Sequence, residues 1–206
     1  MIMLSKSFSL AEACRSEWAE RTKTNNIPTD PVIIGRLRYG ARWLESLRVI
    51  LKGMGYDPRL RVNSAFRNKR VNNAVGGVDT SNHLSGRAWD VESYDPRLDN
   101  LTLAIIIRAS SIPFDELILE HYKPLVPGAG WVHVAFDEDR PRGKVLTISS
   151  DGTRHGLPGD AGFVLAVGAP VPAKTAAELQ ADMQAVIDRM AIEEPDELAR
   201  IKRGGD

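Results

Sequence analysis

Cysteine is almost missing: Cys14 is the only one in 206 residues. An internal disulfide is therefore excluded, and so is a zinc site built from several thiolates. Charge of one sign is not in excess, because 27 Lys and Arg balance 27 Asp and Glu. Proteins that bind polyanions usually carry a basic surplus, so nucleic acid is not an expected partner. Long apolar runs are lacking too. No stretch approaches the ~20 residues of a membrane helix, so no membrane insertion is expected. Met1 to Ser9 holds a lysine but lacks the apolar centre of a signal peptide, so the expectation is a protein made in the cytoplasm.

What is present fits a folded protein. Hydrophobic residues make up 43% and charged residues 26%, which is enough for one ordinary domain plus a tail. Ser9-Leu10-Ala11-Glu12 reads as a capping box that opens a short helix through Trp18. Asp30-Pro31 opens the clearest helix, with Ile33, Leu37, Ala41, Leu44, Leu47 and Leu51 on one face and Gly53 and Gly55 as its stop. Leu60, Val62 and Ser64 alternate with polar residues, which predicts a half-buried strand. A short helix over Arg67–Val75, a strand over Ala88–Glu92 and a helix capped by Asn100 through Ile107 follow. Leu117–His121 and Trp131–Phe136 read as a long-looped hairpin, and Lys144–Ser149 as one more strand. This mixture predicts an α+β fold, a small antiparallel sheet with packed helices. Residues 1–149 are read as the domain and 150–206 as an extension. In the extension Thr175-Ala176-Ala177-Glu178 caps an amphipathic helix striped by Leu179, Met183, Val186, Ile187 and Met190.

Only four histidines occur: His83, His121, His133 and His155. His83, Asp90 and His133 would supply two imidazoles and one carboxylate, a donor set that suits a catalytic zinc with one position left open. Gly86 would let the chain turn tightly between His83 and Asp90. Spacing alone leaves an ordinary reading open: a loop histidine, a locally paired aspartate and a strand histidine.

Several separate segments follow in one order: Ser64-Ala65-Phe66-Arg67, Val71-Asn72, Val75-Gly76-Gly77, Ser81-Asn82-His83-Leu84-Ser85-Gly86-Arg87-Ala88-Trp89-Asp90, Phe114-Asp115-Glu116-Leu117-Ile118-Leu119-Glu120 and Trp131-Val132-His133. Together they resemble the M15 zinc peptidases, which include D-alanyl-D-alanine carboxypeptidases and phage L-alanyl-D-glutamate endopeptidases, and in particular their VanY-like, single-domain branch. The likeness runs from about Phe8 to Ser149. It implies a fold of the hedgehog and D-Ala-D-Ala-peptidase type, a Zn2+ held by His83, Asp90 and His133, and Arg67 as the residue that binds a substrate carboxylate. It also implies an acid as general base ahead of the last histidine. Glu116, Ile118 and Glu120 share one strand face, so periodicity does not choose between the two acids, whereas the motif match favours Glu120. His121, its neighbour, is expected on the opposite face. Ser81 is a further candidate for substrate contact, and Trp89 and Trp131 are expected to pack beneath the site.

The function implied is hydrolysis of peptidoglycan stem peptides or cross-links, as by an endolysin of a phage or prophage or by a D,D-carboxypeptidase. A protein made in the cytoplasm would then reach the cell wall through a membrane hole. The alternative is a zinc-containing module that binds wall peptides without cutting them, or a phage structural protein. The presence of Glu116 and Glu120 favours catalysis.

Overall fold

The computed structural model describes residues 1–124, 126, 128–160, 163, 177, 178, 180–182, 184, 185, 188 and 199. Its helices are α1 (Leu10–Ala13), α2 (Glu17–Thr22), α3 (Pro31–Gly53), α4 (Lys69–Ala74), a 3-10 turn (Asn82–Ser85) and α5 (Asn100–Ala109). Its strands are β1 (Leu60–Ser64), β2 (Ala88–Ser93), β3 (Glu116–Tyr122), β4 (Trp131–Ala135), β5 (Lys144–Ser149) and β6 (Gly152–His155). The fold is α+β. The strands form one sheet in the order β1-β2-β4-β3-β5-β6, antiparallel throughout except for the β3–β5 pair. No described helix is long and apolar enough to cross a membrane.

Helix α3 follows its sequence signals. Asp30 accepts from the Val32 N–H at 2.8 Å, Pro31 takes the first turn, and Leu37, Ala41, Leu44, Leu47 and Leu51 are buried. The first helix does not run to Trp18. It stops at Ala13, and Ser16 caps a second one by accepting from the Ala19 N–H. The break has a tertiary cause. The Ala13 carbonyl accepts from the N–H groups of Ala65 (3.1 Å) and Phe66 (2.8 Å), and the Cys14 carbonyl accepts from the Asn26 amide (2.9 Å). These bonds fasten the chain just after β1, where the site begins. Cys14 is buried, and burial pushes its thiol up to about 12, which leaves it unreactive.

Helix α5 is capped by Asp99, whose carboxylate accepts from the Thr102 N–H at 2.7 Å. Asn100, expected as the cap, instead donates to the Gly130 carbonyl at 2.9 Å and so tethers the turn that leads into β4. The sheet also continues past residue 149, where the sequence reading ended the domain. Gly152 turns the chain with φ +101°, β6 pairs with β5, Leu157 is buried in the core, and Asp160 accepts two bonds from Arg108. Residues 177, 178, 180–182, 184, 185 and 188 are helical. The apolar stripe from Leu179 to Met190 lies outside the described residues.

One face of the sheet carries Trp89, Val91, Leu117, Leu119, Val132 and Val134 into the core with α3 and α5. The alternate positions, Asp90, Glu116, Ile118, Glu120 and His133, share the other face. Helix α3 meets β2 at Gly40, where a Cβ would fall 2.4 Å from Trp89 Nε1 and 3.0 Å from the Phe136 ring. Both rings are fully buried and cannot swing away. Gly40→Ala therefore sets a clash of about 1–3 kcal/mol against a helix gain of about 0.5–1 kcal/mol. A net loss of about 1–2 kcal/mol is expected in urea unfolding; an unchanged midpoint would show that the contact is not tight.

Candidate metal centre

The site starts at the end of β1. Ala65 and Phe66 are pinned to α1, and the Arg67 N–H donates to the His83 carbonyl at 3.2 Å. His83 lies on the 3-10 turn, whose N-terminus is capped by the Ser81 hydroxyl. Gly86 ends the turn with φ +73°, and a Cβ there would collide with Ile33 at 2.9 Å. The chain then reverses into β2, which carries Asp90. In the sheet register Asp90 faces His133 on β4 directly.

The three side chains converge. His83, Asp90 and His133 are 3%, 2% and 6% exposed, and each offers a ligand atom within 4.8 Å of the others. His133 Nδ1 lies 2.8 Å from Asp90 Oδ1, and His83 Nε2 lies 3.2 Å from Asp90 Oδ2. The other nitrogen of His83, Nδ1, is 2.6 Å from the Ala65 carbonyl. A carbonyl can only accept, so Nδ1 carries the hydrogen and the Nε2 lone pair of the neutral ring faces the cluster.

The electrostatics call for a cation. Burial works to raise the Asp90 carboxyl, but His83 and His133 outweigh it and hold it well below the usual carboxylate range. Burial lowers His83. Burial also opposes charge on His133, yet the Asp90 hydrogen bond and charge, with Glu120 and Glu116, raise it. Arg67 supplies the positive charge. Its Nη2 donates to Asp90 Oδ2 at 2.6 Å and sits 3.1 Å from His83 Nε2, while its Nε donates to Ser64 Oγ at 2.9 Å. A guanidinium nitrogen thus lies within reach of both Asp90 Oδ2 and His83 Nε2. The donor set, two imidazoles and one carboxylate with the first ring held by a backbone carbonyl, fits a divalent ion such as zinc.

The two acids of β3 differ in their partners. Glu116 is paired with Lys144 Nζ at 2.8 Å, reached through the parallel β3–β5 register. Glu120 has no side-chain hydrogen bond or ion pair among the described residues, and burial raises its carboxyl above the ordinary value. The triad, both acids, Arg67 and Ser81 all line one cleft of about 1270 Å³.

Two sequence expectations fail here. His121 does not turn away from Glu120: both line the cleft. The β3–β5 register slips between Leu119 and Tyr122, and His121 adopts φ +52°. This bulge spends one residue, so Tyr122 returns to the core. Gly130 allows the close passage, since a Cβ there would lie 1.8 Å from the Glu120 carbonyl oxygen. Trp89 packs beneath the site, edge-on to Phe8, but Trp131 lines the cleft under the His121 ring at 4.7 Å. Sequence reasoning also missed the Ala65 carbonyl, because a backbone acceptor has no residue-type signature, and Lys144, whose position depends on a strand pairing.

The sheet thus carries a buried two-histidine, one-aspartate cluster, able to hold a metal ion, at the wall of an open cleft. The family described as Peptidase M15 matches residues 8–134, a span that includes all three cluster residues, and the chain belongs to that family. Its substrate is accordingly a peptide. A comparison with curated proteins finds no match.

A metal ion that binds only the folded cluster stabilises it by about 4 kcal/mol at a free concentration of ~1,000 Kd. Zinc added to chelator-treated protein should therefore raise the melting temperature, and His133→Ala should abolish the rise. Equal rises in both proteins would place the metal elsewhere.

Proposed function

We propose that this chain is a zinc-dependent peptidase that hydrolyses peptidoglycan stem peptides or cross-links. The observation that carries the reading is the Glu120 carboxyl, unpaired and partly buried beside a converged His83–Asp90–His133 cluster. His83, Asp90 and His133 would hold a zinc ion, which would supply the Lewis acidity that acidifies water and polarises a peptide carbonyl.

The chain's own residues supply the rest. Glu120 takes a proton from the attacking water onto its carboxylate and hands it to the leaving amine. Burial, by raising its affinity for protons, suits it to both halves of that transfer. Glu116 is engaged by Lys144 and serves to fix β5 on β3 rather than to move protons. Arg67 releases Asp90 and turns its planar fork to a substrate carboxylate, which it can grip with two parallel bonds. Stem peptides carry such free carboxylates. Ser81, whose hydroxyl caps the 3-10 turn at a long 3.4 Å, would exchange that bond for one to substrate. The enzyme would act on the cell wall, reaching it from the cytoplasm through a membrane hole.

Mass spectrometry of purified peptidoglycan, digested with and without chelator, tests both bond and metal dependence. New amino termini or released D-alanine, absent with chelator, are expected. Glu120→Gln should keep its metal and lower kcat by at least ~100-fold, the scale of general-base catalysis. Glu116→Gln should leave kcat within a few-fold. A fully active Glu120→Gln would contradict the assignment of the base, and no cleavage by the native protein would favour a binding module.

A further inference from the structure

The cleft extends beyond the metal cluster along β2. Asp90 and Glu92 share a strand face, roughly 7 Å apart along the chain. Across from them β1 carries its own irregularity: its register with β2 slips between Val62 and Ser64. The extra residue is Asn63. It lines the cleft, and its amide Nδ2 donates to Glu92 Oε1. Bulges beside sites commonly serve to re-aim a side chain, and this one orients an acid.

The acid is held without being neutralised. Asn63 is an uncharged donor and brings no compensating charge to Glu92. Three neighbouring arginines have partners of their own. Arg15 donates to the Val62 carbonyl at 3.2 Å. Arg61, opposite Glu92 in the register, lies over the Tyr94 ring at 5.4 Å. Arg67 is bound to Asp90. Glu92 has no ion pair among the described residues, and its second oxygen accepts from none of them. A cleft-lining carboxylate that is oriented and unpaired matches a cationic hydrogen-bond donor on a ligand.

We propose that Glu92, oriented by Asn63, is a substrate subsite for a primary ammonium group lying one residue or two from the scissile bond. The inference rests on the peptidase reading and deepens it. With Arg67 taking a carboxylate, the cleft selects peptides that carry both a free carboxylate and a free amine. The amine can come from a side chain or from an amino terminus.

Three synthetic peptides separate these cases: L-Ala-γ-D-Glu-L-Lys-D-Ala-D-Ala, its Nε-acetyl-lysine form and its amino-terminally acetylated form. The zinc-loaded full chain should show kcat/KM about tenfold lower for one acetylated form, the worth of one hydrogen bond to a charged group. Which form suffers names the source of the amine. In Glu92→Gln the ratio between free and acetylated peptide should fall to near one, and Glu92→Asp should keep part of it. An unchanged ratio in Glu92→Gln would overturn the subsite. If the native protein cuts none of the peptides, the peptidase reading fails separately. Calorimetry of the same peptides on native protein and Glu92→Gln then decides the subsite alone: an amine preference lost in the variant supports it, and equal affinities overturn it.

Discussion

Burying Asp90 between two imidazoles is the constraint on which the rest of the site turns. A carboxylate taken out of water is costly unless positive charge or strong donors meet it. Here the cost is offset by a raised His133 and by the Arg67 guanidinium. The cluster therefore holds a cation's place whether a side chain or a metal ion fills it. It is also compatible with the proposed second role of Arg67, since an ion that neutralised Asp90 would free the guanidinium for another anion.

The scaffold fixes this cluster from several directions. The β2–β4 register sets Asp90 across from His133. The Ala65 carbonyl sets the tautomer of His83, and Ala65 is itself fastened to Ala13. Gly40 brings α3 onto Trp89, the residue beside Asp90. Two bulges flank the cluster in the sheet. One, on β1, turns Asn63 to Glu92; the other, on β3, turns His121 into the cleft beside Glu120. The β3 bulge adds a polar side chain to a face that strict alternation would have left without it, and the β1 bulge brings Ser64, opposite Asp90, to the cleft face beside Asn63.

Much of this was legible in the sequence. Local chemistry placed α3, because Asp30, Pro31 and the apolar period all act within the helix. The ordered motifs placed His83, Asp90 and His133 together, and alternation put Glu116 and Glu120 on one face. The missing parts depend on contacts distant in the chain. The division of the first helix at Ala13 depends on the N–H groups of Ala65 and Phe66. The facing of His121 depends on Gly130 letting β4 pass close to Glu120. The difference between Glu116 and Glu120 depends on Lys144, which arrives through a parallel pairing that no local pattern announces.

X-ray absorption at the zinc edge, on protein loaded with one equivalent of zinc, tests the convergence most directly. The expected spectrum has nitrogen and oxygen neighbours at ~2.0–2.2 Å, two of them imidazoles, and no sulfur. The spectrum should change in Asp90→Asn and His83→Ala. A sulfur neighbour, or a spectrum indifferent to both substitutions, would contradict a metal centre built from His83, Asp90 and His133.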